Sequence, residues 1–179
     1  MEKLLKELTT LTDKVRSTFD SINAVQLNWK PGTNEWSIAQ CLDHLMLMNE
    51  KYVQQLTDVI DNYEPSFWEK YSPLTGFTGK QLIESLGPDV RKKYRTPKAF
   101  TPSKAYMDND VIERFLKHQD TLLNLFTRLA ETDGRRVITS PVAPLITIYS
   151  SDAMQIIVEH EKRHINQALR VKALAGFPQ

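Results

Sequence analysis

Apolar residues recur at threes and fours in four separate stretches of the chain, the spacing that lines one face of an α-helix. The first stretch runs from about Glu2 to Ile22, with Leu4, Leu8, Leu11, Val15 and Phe19 on one side. The second opens on Ser37-Ile-Ala-Gln40, a capping box in which Ser37 and Gln40 satisfy each other's backbone donors. It continues to about Asn62 with Ile38, Leu42, Leu45, Tyr52, Leu56 and Val59 as its stripe. The third starts near Asn109, turns Val111, Phe115, Leu122, Phe126 and Leu129 inward, and ends at Asp133-Gly134. The fourth is expected to be capped by Ser150 or Ser151 and to run to about Ala175, stopping at Gly176 and Pro178.

The connections differ in kind. WKPGTNEW, with Pro31 and Gly32, reads as a turn. Between Tyr63 and Met107 the helical pattern breaks up around Pro65, Pro73, Pro88, Pro97 and Pro102, and only GKQLIESLG reads as a short helix. Unpatterned segments of this length inside a compact domain are usually functional loops or crossovers. In a bundle, a long crossover lets the second and third helices run in the same direction. The expected fold is therefore all-α, a four-helix bundle of up-down-down-up order with a long crossover between helices two and three, in one domain spanning residues 1–179. The apolar link VITSPVAPLITIYSS before the fourth helix can hold a short strand instead, because Ile146, Thr147, Ile148 and Tyr149 are β-formers.

Composition narrows the function. With 41% apolar and 25% charged residues in 179, the chain has a globular composition. The formal net charge of +1 gives no overall pull toward nucleic acid or anionic lipid. No apolar run approaches the roughly 18 residues of a membrane-spanning helix. MEKLLKELTTLTDKV has acidic residues and no apolar core, so it does not read as a secretory signal. Cys41 is the only cysteine, which excludes an internal disulfide and leaves a cytoplasmic location as the expectation.

The chemistry gathers on histidines. At about 100° per residue, Ala153, Ile157, Ala168 and Val171 define the inner face of the fourth helix, with His160 and His164 in its middle and Gln167 at its edge. Two imidazoles one turn apart on a buried face need polar partners, and the i,i+4 spacing lets both share a metal ion. The bland alternative is hydrogen bonding within the core. His44, inside the apolar octet CLDHLMLM, is the natural third ligand, although it lies on the flank of its helix's stripe. Cys41, one turn earlier, is better read as a small buried hydrophobe, and His118 as a satisfied core or rim histidine.

His160-Glu161-Lys-Arg-His164 also matches H-E-x-x-H, the helix signature of zinc proteases, in which the glutamate acts as base. Such enzymes commonly take a third ligand downstream, and no His, Asp or Glu follows His164. The third ligand must come from upstream, and a protease is disfavoured. Glu161 is then a catalytic candidate, more simply read as a solvated carboxylate, and Tyr149 is another candidate base. Arg135 and Arg136 either close the site or solubilise a turn.

WSIAQCLDHL (Trp36 to Leu45) and HEKRHINQ (His160 to Gln167) together resemble the signatures of the DinB-like family of metal-binding bundles. PKAFTPSK (Pro97 to Lys104) and RVKALAGFP (Arg170 to Pro178) are similar to segments of a subgroup, so the resemblance spans nearly the whole chain. It implies a crossover bundle with His44, His160 and His164 as ligands to one divalent metal such as zinc or nickel, and often a homodimer. It also implies either a thiol-dependent transferase using a small cellular thiol or a hydrolase acting on a small molecule.

Three neutral imidazoles leave the charge of such an ion uncompensated and a coordination position open, where a water can ionise near neutral pH or a thiolate can be activated. Gln167 is placed to orient a ligand histidine. The non-enzymatic alternative is a metal-stabilised binding or stress-related module, which a closed coordination sphere would favour. A nucleic-acid reading rests only on RKKYRTPKAFTPSK (Arg91 to Lys104), whose basic residues alternate with Tyr94 and Phe100. The simpler reading of that stretch is a solvated crossover pinned by its aromatics.

Overall fold

Four long amphipathic helices carry the core of the computed structural model, which describes residues 1–88, 96–97 and 100–179. They are α1 (Glu2–Phe19), α3 (Ile38–Asp61), α6 (Val111–Ala130) and α7 (Ser150–Lys172). Short helices α2 (Ala24–Asn28), α4 (Phe67–Tyr71) and α5 (Thr75–Leu86), and strands β1 (Val137–Thr139) and β2 (Thr147–Tyr149), lie between them. Among the described residues no helix is long and apolar enough to cross a membrane.

The expected stripes form the core: Leu8, Val15 and Phe19 of α1, Ile38, Leu42, Leu45, Tyr52 and Leu56 of α3, and Phe115, Leu122 and Phe126 of α6 are fully buried. Cross-helix pairs define the directions. Lys162 reaches Glu7 and Lys172 reaches the Thr18 carbonyl, so α1 and α7 run parallel. Asp43 and Glu50 face Arg114 and Thr121 across one groove, and Asp61 pairs with Arg128 further along, so α3 and α6 run parallel as well. Trp36 packs on His164, while Val59 accepts from Arg136, whose own carbonyl accepts from Ser150, so α3 and α7 are antiparallel. The order is up-down-down-up, with the crossover joining the two parallel helices.

Sequence and structure part company mainly at the helix starts and in the short elements. Ser37 and Gln40 form the expected capping box. The fourth helix, however, begins at Ser150 and its N-cap is Tyr149, correcting the expected Ser150 or Ser151 cap. The Ser150 hydroxyl is drawn away to donate to the Gly134 carbonyl, and the Asp152 carboxylate accepts from the Tyr149 amide instead. The apolar link takes the strand option: β1 and β2 pair antiparallel, Ile138 opposite Ile148. Helix α2 follows α1 behind an Asn23–Gln26 capping box. In the crossover, α4 is capped by Ser66 and Glu69, and α5 starts before the predicted GKQLIESLG. Helix α5 rests on the first turn of α7 at Gly79, where an added Cβ would meet the Asp152 carboxylate at 2.1 Å.

Candidate metal centre

The three histidines meet at one end of the α3–α7 contact. His44 rides on the second turn of α3, and His160 and His164 on successive turns of α7, which runs the other way past it. All three are buried, and each offers a ring nitrogen within 4.8 Å of the other two. His44 Nε2 and His160 Nε2 lie 3.3 Å apart. Two nitrogens bound at about 2.0–2.1 Å to one tetrahedral ion stand roughly 3.3 Å from each other, so this separation fits shared ligation.

Neighbouring groups set the tautomers. A carbonyl oxygen can only accept, so the 2.6 Å contact between His44 Nδ1 and the Phe100 carbonyl puts the proton on Nδ1 and the lone pair on Nε2. His164 Nδ1 likewise donates to Gln167 Oε1 at 3.0 Å, leaving its Nε2 bare. His160 Nδ1 is buried with no partner among the described residues, and its Nε2 is the atom facing His44. A cation among these nitrogens satisfies lone pairs that otherwise confront one another.

The field keeps the rings neutral and able to ligate. Burial holds all three imidazoles below the ordinary histidine range. At His44 a bond to the Phe100 carbonyl and the charge of Asp43 partly oppose it. At His160 the neighbouring His164, His44 and Arg163 add to it. His164 is pushed down to about 3, by burial first and then by His44, with Arg163 and Arg170 adding to it against the Gln167 bond.

The crossover and the turn before α3 build the walls. Gln40 donates to the Lys104 carbonyl, Asp43 accepts from the Ser103 amide, and Phe100 is buried, which together press the described residues 100–104 onto the first turns of α3. This is why a histidine on the flank of the apolar stripe is buried after all. Residues 89–95, 98 and 99, which hold much of the basic RKKYRTPKAFTPSK stretch, lie outside the described residues. Trp36 packs at a tilt against His44 and His164, with ring centroids 4.7 and 5.5 Å away.

Glu161 requires a correction. It is fully buried, not solvated, because α7 is packed on several sides and this position faces the middle of the bundle. Its Oε1 accepts from Asn49 at 2.8 Å and from Gln119 at 2.6 Å, and Gln119 in turn accepts from Thr12. Burial pushes its carboxyl up to about 7 against those two hydrogen bonds. Its partners are structural amides on α3 and α6, and it does not line the cleft that reaches His164.

The other candidates lie elsewhere. Cys41 is buried outside the cluster, its thiol pushed up to about 12 chiefly by burial against the pull of Arg170. His118 is half-buried in a groove between α3 and α6 with Glu50 and Lys117. Tyr149 precedes the first turn of α7, about 16 Å along the axis from His160 by helix rise. Arg135 lies over the Tyr149 ring and Arg136 over Tyr63, so both belong to that far end. The Asn49–Gln119–Thr12 network was not expected from the pattern. Polar residues on otherwise apolar stripes, Asn49 above all, were its one visible signal.

A crossover bundle with three histidines converging from its second and last long helices defines the class. The chain belongs to the DinB superfamily, whose family pattern matches residues 7–168. It is 27% identical over 148 residues to the protein YuaE of Bacillus subtilis strain 168, covering 82% of this chain and 83% of that one. In fold it is similar to YfiT from Bacillus subtilis, a probable metal-dependent hydrolase with an unusual four-helix bundle topology. That match has a TM-score of 0.62 at 13% identity and covers 99% of this chain and 88% of YfiT.

Proposed function

We propose that this chain is a metal-dependent enzyme of hydrolase type acting on a small molecule, with one divalent transition metal held by Nε2 of His44, His160 and His164. The observation that carries the reading is the convergence of three buried, neutral imidazoles whose ligand atoms lie within 4.8 Å of one another. The likeness of fold to YfiT supports it. Zinc and nickel both suit an all-imidazole set. When bound there, such an ion supplies Lewis acidity, polarising a substrate oxygen or lowering the pKa of a water.

The protein's own groups do the positioning. The Phe100 carbonyl and Gln167 hold two ligand rings in the ligating tautomer. Trp36 covers one side of the cluster. Among the described residues no acidic side chain joins the ligand set, so these ligands bring no negative charge and leave a position for substrate. The cleft beside His164 gives that position access, which favours chemistry over a closed structural site.

Elemental mass spectrometry on tag-free protein tests the reading. About one equivalent of a transition metal is expected in the wild type, and its loss in His160→Ala. Wild-type protein that carries no metal and takes up neither zinc nor nickel would falsify it.

A further inference from the structure

His164 is the edge of the cluster that meets a cleft of about 590 Å³, bounded by the turn before α3 and the last turns of α7. Trp36 and Asn34 form one wall, and Arg163, Gln167 and Arg170 the other. At 100° per residue these three α7 residues fall within about 60° of one another, beside the face that carries His160 and His164. The cleft floor is therefore a row: ligand histidine, the glutamine bonded to it, then arginine.

The charge of this cleft is one-sided. Glu35 is the one carboxylate among its described lining residues, set against two guanidinium groups. Arg163 already donates to the Gly87 carbonyl at 3.2 Å, which holds its charge at the rim. Arg170 is exposed, and no salt bridge holds it among the described residues. A divalent ion held by the three neutral histidines would add positive charge at the inner end. Guanidinium favours planar, bidentate recognition of carboxylate.

We propose that this cleft takes a small organic anion, with Arg170 binding a carboxylate at the outer end while the reacting group lies at the three-histidine centre. Helix rise puts Arg170 about 9 Å further along the axis than His164. The flexible arginine side chain folds back over part of that span, so a carboxylate several bonds from the reacting group is the matched ligand. The inference rests on the metal reading and adds to it the class of substrate.

Calorimetric titration of zinc-loaded protein at constant ionic strength tests it, using glutarate and adipate against pentanoate and hexanoate. The dicarboxylates are expected to bind about tenfold more tightly than monocarboxylates of equal length. Arg170→Gln is expected to abolish that margin while leaving zinc content unchanged. Equal affinities in the wild type overturn the inference, as does a lack of saturable dicarboxylate binding at millimolar concentration or a margin that survives in Arg170→Gln. Zinc content measured on the same samples separates the two ideas. Protein that binds zinc but does not discriminate removes the anion site alone, and protein that binds no zinc removes both.

Discussion

Glu161 and His160 are neighbours in sequence, yet they serve different parts of the molecule. The imidazole turns to the histidine cluster, while the carboxylate turns to Asn49 and Gln119 in the middle of the bundle. A buried carboxylate is tolerated only where donors replace water; two amide donors do so at Oε1, while Oε2 is buried with no partner among the described residues. Replacing Gln119 with Leu removes one of those donors and strands the Thr12 hydroxyl's second contact. Gln119→Leu is therefore expected to lower stability by about 2 kcal/mol in urea denaturation. Its metal content is expected to match the wild type, because the hydrogen bonds of Gln119 among the described residues go to Thr12 and Glu161 and not to the three histidines. Loss of metal in that variant would show that the network, not only the rings, shapes the site.

At the scale of elements, the short helices are clamped by side chains as much as by burial. Glu69 caps α4, accepting from the Ser66 amide and hydroxyl, and also ties α4 to β1 by accepting from the Thr139 amide and hydroxyl. Partial burial pushes its carboxyl up, but those four bonds outweigh burial and hold it below the ordinary glutamate range. A carboxyl with a depressed pKa binds fewer protons folded than unfolded. Its contribution is thus complete above the ordinary value of 4.5 and is lost as pH falls through the folded value. Glu69→Gln is expected to cost about 1 kcal/mol at neutral pH, after allowance for solvent screening. In urea titrations at a series of pH values, the gap to wild type should close below about pH 4.5. A gap that stays constant in acid would mean that the amide replaces the cap without using the charge.

The legibility of these elements followed their length. Helices α1, α3, α6 and α7 each repeat their apolar stripe over several turns, and that redundancy fixes both type and inward face. Helices α2 and α4 have five residues each, too few for a period to show. Their capping boxes, Asn23–Gln26 and Ser66–Glu69, were the available signal. Serine is a common cap, so the sequence points to Ser150 or Ser151 at the start of α7, and only the fold brings the Gly134 carbonyl within reach of the Ser150 hydroxyl.

Over the whole molecule, α1 and α3 contact the same two partners, α6 and α7, and the crossover that makes this possible also supplies a wall of the site. The crossover carries an exposed apolar strip as well: Phe67, Trp68, Tyr71, Leu74 and Phe77 are each at least half exposed. Phe67 and Phe77 are 80% and 65% exposed and stand apart from the buried core. The double variant Phe67→Ser, Phe77→Ser is expected to unfold within about 0.5 kcal/mol of the wild type and to keep its metal. A larger loss in urea denaturation would show that the strip is covered in solution.

By itself the sequence determined the four long helices, their inward faces, the parallel pair joined by a crossover, and the His160–His164 pair. These are periodic or strictly local properties, readable along one helix at a time. Only the tertiary structure decided that His44 is buried, that the Phe100 carbonyl and Gln167 set two ring tautomers, and that Glu161 faces inward. It also decided that Trp36 and Arg170 border the same cleft. Each of these depends on which surface a neighbouring element presents across the bundle, and residues dozens of positions apart along the chain carry no shared period that could announce the contact.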